Sequence, residues 1–173
     1  MRAIGSVEQM ASVLEAAAKI GINHIETAPA YGPAEQFLGK ALQHSSTIPE
    51  GGWVTTSKLL PGSSLVEGQH QLDAILHRLG LSTLDNLAVH GINRQEHLEW
   101  ALSGDGAQLL EWALSSGRVT QLGFSSHGTN ALIEQALRSQ RFDFCSLHLH
   151  LFCLLYTSPS PRDLSTSRMP SSA

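Results

Sequence analysis

The chain has 173 residues, of which 42% are hydrophobic and 15% charged, and a formal net charge of −4. This is a globular composition, and its mild acidity, with Lys and Arg scattered singly, offers no electrostatic footprint for a nucleic-acid backbone. No apolar run is long enough for a bilayer, MRAIGSVEQM lacks the features of a secretory signal, and two cysteines, Cys145 and Cys153, cannot build a disulfide framework, so a cytoplasmic setting is expected.

In chain order the first element is a helix. Ser6 and Gln9 have the spacing of a capping box, Val7, Met10, Val13, Leu14 and Ala17 share one face, and Gly21 closes it. Strands are predicted at His24–Ala28, Trp53–Lys58, Leu84–Gly91, Thr120–Ser125 and Phe142–Leu151, each short and rich in β-branched or aromatic residues. Helices with apolar residues three and four apart lie between them. One runs through Leu72, Ile75, Leu76 and Leu79 to Gly80; the next is split near Gly104 and resumes through Leu109, Leu110 and Ala113 to Gly117.

Strands recurring every thirty residues or so, with helices between, are βα units and predict an α/β fold with a parallel sheet. An open dinucleotide-binding sheet would place a Gly-rich turn between its first strand and helix. The nearest approach, Gly104-Asp105-Gly106, lies between two helical stretches, so a partial (β/α)₈ TIM barrel over residues 1–152, lacking its first and last strands, is expected. From Cys153 the composition turns to Ser, Pro, Thr and Arg. Residues 153–173, CLLYTSPSPRDLSTSRMPSSA, resemble a translated sequencing adapter and are expected to be a non-native, disordered tail.

In such barrels the reacting groups sit at the C-terminal ends of strands. Glu26, Lys58 and His90 each occupy that position, and side-chain alternation puts each on one face of its strand. Tyr31 follows the first strand closely enough to lean over the same mouth. Taken singly, Glu26 and Lys58 could be an ordinary ion pair, His90 a core histidine and Tyr31 a packing residue. Four such residues at successive strand ends are harder to obtain from packing alone.

The strings that carry them are GINHIETAPAYG (Gly21–Gly32), SKL (Ser57–Leu59), LDNLAVHGIN (Leu84–Asn93) and SSGRVTQLGFSSHG (Ser115–Gly128). In this order they resemble the aldo-keto reductase family. Glu26 departs from the family's usual Asp and resembles a branch with HIETAxxYG that often carries a C-terminal iron-sulfur domain; no CxxC spacing occurs here. The resemblance implies hydride transfer between NADPH and a small-molecule carbonyl substrate. Tyr31 would be the proton donor, Lys58 the cation that assists it, Glu26 the partner of Lys58, and His90 the orienting group. Ser125, Ser126 and His148 would meet the nicotinamide end of the cofactor.

Two rival readings stand beside this one. A metal-dependent hydrolase barrel could use His148 and His150 among the nine histidines; no metal site is assigned. A regulatory subunit on the same fold would bind cofactor without turnover, which the joint presence of Tyr31, Lys58 and His90 argues against. The segment alone is expected to be inactive, because the family's adenosine-side cofactor contacts lie in later strands.

Overall fold

The computed structural model describes residues 4–44 and 47–147. The first helix, α1, spans Val7–Lys19. Ser6 accepts a hydrogen bond from the Gln9 amide at 3.1 Å, while the Gln9 side chain accepts from Gly5 N–H at 2.8 Å, so the box closes one residue earlier than its spacing suggests. Beyond its last turn the Gly21 amide donates to Ala18 and the Ile22 amide to Ala17, and Gly21 takes the positive φ of 79° that this ending requires. Met10 and Leu14 bury the inner face; Val13, expected beside them, is 45% exposed.

Five parallel strands follow in sequential spatial order: β1 His24–Glu26, β2 Val54–Leu59, β3 Leu84–Val89, β4 Val119–Ser126 and β5 Phe144–Leu147. Between them lie α2 (Ala34–His44), α3 (Leu65–Leu79), α4 (Gln95–Leu102), α5 (Gly104–Ser115) and α6 (Asn130–Arg138). The split expected near Gly104 separates α4 from α5, with Ser103 extended between them. This is part of a (β/α)₈ barrel. The last strand reaches the first: Ser146 Oγ lies 3.4 Å from Glu26 Oε2. In a flat sheet four interstrand spacings would separate them by about 19 Å, so the sheet is curled into a half-barrel.

The outer face of the sheet packs on the helices. Ile25, Leu59, Leu87, Val89, Leu122 and Phe124 meet α-helical Leu38, Leu72, Ile75, Leu79, Leu109 and Leu132 in one cluster. Each buried side chain of this size contributes about 1.5–3 kcal/mol relative to exposure. At the strand beginnings two aspartates extend the ladder: Asp85 Oδ2 accepts from the Thr55 amide at 2.7 Å, and Asp143 Oδ2 from the Leu122 amide at 2.9 Å.

Strand ends differ from their predicted limits for local reasons. β1 stops at Glu26 because Pro29, which cannot donate to a ladder, opens a 3₁₀ turn over Pro29–Tyr31. β3 stops at Val89, before the left-handed Gly91 at φ 87°. β5 starts two residues later than predicted, since Phe142 turns its ring onto Phe124, with centroids 5.0 Å apart. Residues 148–151 of that predicted strand and the predicted tail at 153–173 lie outside the described residues. Among the described residues no helix is long and apolar enough to cross a membrane.

Candidate active site

Strand register sorts the polar residues into layers on the concave face. Glu26 pairs with Thr56, Thr56 with Asn86 and Asn86 with Gln121; one step higher Lys58 pairs with Ala88, and Ala88 with Gly123. His90 follows at the exit of β3, its amide donating to Leu59 O at 2.7 Å. Period-two alternation thus brings Glu26, Lys58 and His90 to the same side.

Lys58 is only 2% exposed. An ammonium has three donors and no acceptor, and burying it costs several kcal/mol unless those donors are used. Three acceptors surround Nζ: Glu26 Oε1 at 2.9 Å, Thr27 O at 3.1 Å and Tyr31 Oη at 3.4 Å. Because the phenol oxygen accepts from the ammonium, its own proton is directed away from Lys58. The Tyr31 ring stands edge-on to His90, centroids 5.9 Å apart and planes at 87°.

The backbone that places Tyr31 is specific. Ala28 is extended, Pro29 opens the 3₁₀ turn, and Gly32 closes it at φ 62°, ψ −131°, a conformation that a side chain would disfavour. The chain then enters α2. A cleft of about 250 Å³ opens beside this turn, lined by Pro29, Ala30, Lys58 and His90 and by Gln71 and Ala74 of α3.

Of the residues expected to meet the cofactor, Ser125 lies level with Ser146 in the register, and its Oγ accepts from the Gly91 amide at 3.0 Å. Ser126 faces the other way. It is 3% exposed, donates to Ile92 O at 2.5 Å and accepts from the Gly128 amide at 2.9 Å, binding the loop after β3 to the loop after β4. His148 and His150 lie outside the described residues. Among the described residues no group of three or more His, Cys, Asp or Glu is placed to hold a metal ion.

Two clusters escaped the sequence reading. His24 Nε2 and Asn86 Nδ2 both meet Thr56 Oγ1, at 2.7 and 3.1 Å, forming a polar chain in the layers below Lys58. Behind the sheet, Glu35 is 1% exposed and accepts from Ser57 Oγ at 2.6 Å and Arg78 Nε at 2.7 Å. The partners are 22 and 43 residues away in sequence, beyond the reach of local patterning.

The aldo/keto reductase family model matches residues 5–164. No curated protein matches the chain. Solved structures do: an aldo/keto reductase from Brucella melitensis (24% identity, TM-score 0.67, 84% of this chain and 55% of that one) and the aldo-keto reductase MGS-M4 from a Medee basin deep-sea metagenome library (20%, 0.67, 89% and 58%). A third is the Bombyx mori aldo-keto reductase in complex with NADP (17%, 0.66, 85% and 50%). The chain spans between 50% and 58% of the length of these structures, and at such identities they speak for the fold. Because the family model matches nearly the whole length of this chain, the chain belongs to the aldo/keto reductase family.

Proposed function

We propose that the site reduces the carbonyl of a small aldehyde or ketone, with Tyr31 delivering the proton, as part of a complete barrel that binds NADPH. The observation that carries this reading is the buried Lys58 ammonium held between the Glu26 carboxylate and the Tyr31 phenol.

A phenol that delivers its proton is left as a phenolate, whose negative charge a neighbouring cation can meet after transfer. Lys58 is that cation. Glu26 holds the ammonium in register and balances its charge. His90, edge-on to the Tyr31 ring, would hydrogen-bond the substrate oxygen and orient it toward the phenol.

Ser125 fits the cofactor in donor chemistry: its hydroxyl is on the concave face and suits the carboxamide of a nicotinamide. Ser126 fits less well, since its oxygen already both donates and accepts. NADPH, when bound, supplies the hydride. The NADP complex of the Bombyx mori neighbour supports a phosphorylated cofactor for this chain.

The test is NADPH oxidation followed by absorbance in a complete barrel carrying this segment, over a panel of small aldehydes and ketones. Turnover that depends on Tyr31 and Lys58 is expected. Turnover unaffected by Tyr31→Phe would move the proton donor elsewhere.

A further inference from the structure

Tyr31 and Lys58 belong to different elements, and their 3.4 Å separation depends on how the start of α2 sits against β2. One side chain spans that joint. Glu35, in the first turn of α2 and four residues after Tyr31, accepts from Ser57 Oγ, the residue before Lys58 in β2. Its second oxygen accepts from Arg78 in the last turn of α3. Ser57 and Glu35 are 0% and 1% exposed, so the bond forms where water cannot substitute for either partner.

We propose that Glu35 is a positioning residue, whose bond to Ser57 sets the distance and orientation of the Tyr31 phenol relative to the Lys58 ammonium. A carboxylate in this place is costly to desolvate, and an apolar contact would pack α2 on β2 as well or better. What the ionic contact adds is direction. Ser57 Oγ fixes one oxygen and Arg78 Nε the other, so the first turn of α2 can neither slide along β2 nor rotate about it. The short turn Pro29–Tyr31 carries that constraint to the phenol, because only Gly32–Ala34 intervene between Tyr31 and Glu35. Arg78, through its Nε at 2.7 Å, aims the second Glu35 oxygen.

The proposal rests on Tyr31 as proton donor, and the test separates the two ideas. In the intact chain, nuclear Overhauser contacts between the Tyr31 and His90 rings, now 5.9 Å apart between centroids, report the ring position without turnover. Tyr156→Phe leaves Tyr31 as the one tyrosine signal, since the chain has 2 tyrosines. Ser57→Ala and Glu35→Gln are expected to weaken those contacts, and Ser57→Thr, which keeps the hydroxyl on a strand that tolerates β-branching, to retain them. In the complete enzyme Ser57→Ala is expected to lower kcat about tenfold or more, with KM values within about twofold and rescue by Ser57→Thr. A residue that merely held the fold together would lower Tm and leave both the ring contacts and kcat per folded molecule unchanged. Unchanged contacts and kcat in both Ser57→Ala and Glu35→Gln overturn the proposal. Ring contacts that shift in an enzyme whose Tyr31→Phe variant turns over normally would uphold the positioning role and remove the donor role.

Discussion

Lys58 and Glu26 are bonded at 2.9 Å, yet Lys58 is 2% exposed while the Glu26 side chain keeps 39% of its surface in solvent. The pair is therefore asymmetric. Lys58→Met removes a buried charge and leaves a carboxylate that water can still solvate, so stability should stay near wild type or rise slightly. Glu26→Ala leaves a buried ammonium whose remaining acceptors among the described residues are Thr27 O and Tyr31 Oη. Its cost should be about 2 kcal/mol, discounted from the roughly 3–5 kcal/mol of fully buried pairs. Thermal melts of the two variants check the order; a Lys58→Met protein less stable than Glu26→Ala would contradict it. In a complete barrel carrying this segment, the proposed carbonyl reduction should fall about a hundredfold or more in Lys58→Met despite its stability.

Tyr31→Phe isolates the proposed proton donor, because the ring and its edge-on contact with His90 are kept. Lys58 loses one acceptor at 3.4 Å, a long hydrogen bond, so stability should change by less than about 1 kcal/mol. In a complete barrel carrying this segment, the proposed carbonyl reduction should drop about a hundredfold or more, with cofactor affinity little altered. Steady-state kinetics and cofactor titration on the same preparation separate those two effects.

The strand centres and the residues of the concave face were legible in the sequence because both are local. Period-two alternation places Glu26, Lys58 and His90, and β-branched residues mark the strands predicted at Trp53–Lys58 and Thr120–Ser125, which form at Val54–Leu59 and Val119–Ser126. Alternation also separates Ser125 from Ser126, a point that reading the two serines as a unit passes over. Glu35 was not legible, since an acidic residue in the first turn of a helix is ordinarily explained by the helix dipole. Its partners become visible only once β2 and α3 are packed around it. Val13 fits the helical spacing of α1 and still faces solvent, as periodicity marks a stripe but not how much of it the neighbours cover.

Helix packing makes a prediction at Gly39. A Cβ there would strike the carbonyl oxygen of Arg78, with Leu79 Cα at 2.9 Å, and a backbone cannot step aside as a side-chain end can. Alanine improves the intrinsic propensity of α2 by about 1 kcal/mol, while overpacking costs about 1–3 kcal/mol. Against immovable backbone the second effect should win, for a net loss of about 1 kcal/mol and at most about 2 kcal/mol. Denaturant unfolding of Gly39→Ala measures this, and a variant more stable than wild type would show that α2 and α3 separate easily.

The last prediction concerns pH and the start of α3. Ser64 donates to Glu67 Oε2 through both its amide, at 3.0 Å, and its hydroxyl, at 2.8 Å, while Ser64 Oγ accepts from the Glu67 amide at 3.4 Å. The Ser64 backbone amide, and then its hydroxyl, hold the Glu67 carboxyl below its usual value. A carboxyl depressed in the folded state binds fewer protons folded than unfolded. Its contribution is therefore complete at neutral pH and is lost as pH falls toward and through the folded value, below the ordinary glutamate range. The Tm gap between wild type and Glu67→Ala should be present at neutral pH and narrow steadily under acid conditions. Working with the difference removes the other carboxylates, which titrate in both proteins. Ser64→Ala should destabilise by about 1 kcal/mol at neutral pH, as for other N-caps, and should also make the effect of Glu67→Ala smaller. Melts of the four proteins across that pH range decide it: a gap that does not narrow in acid would mean that Glu67 acts at this helix end without its charge.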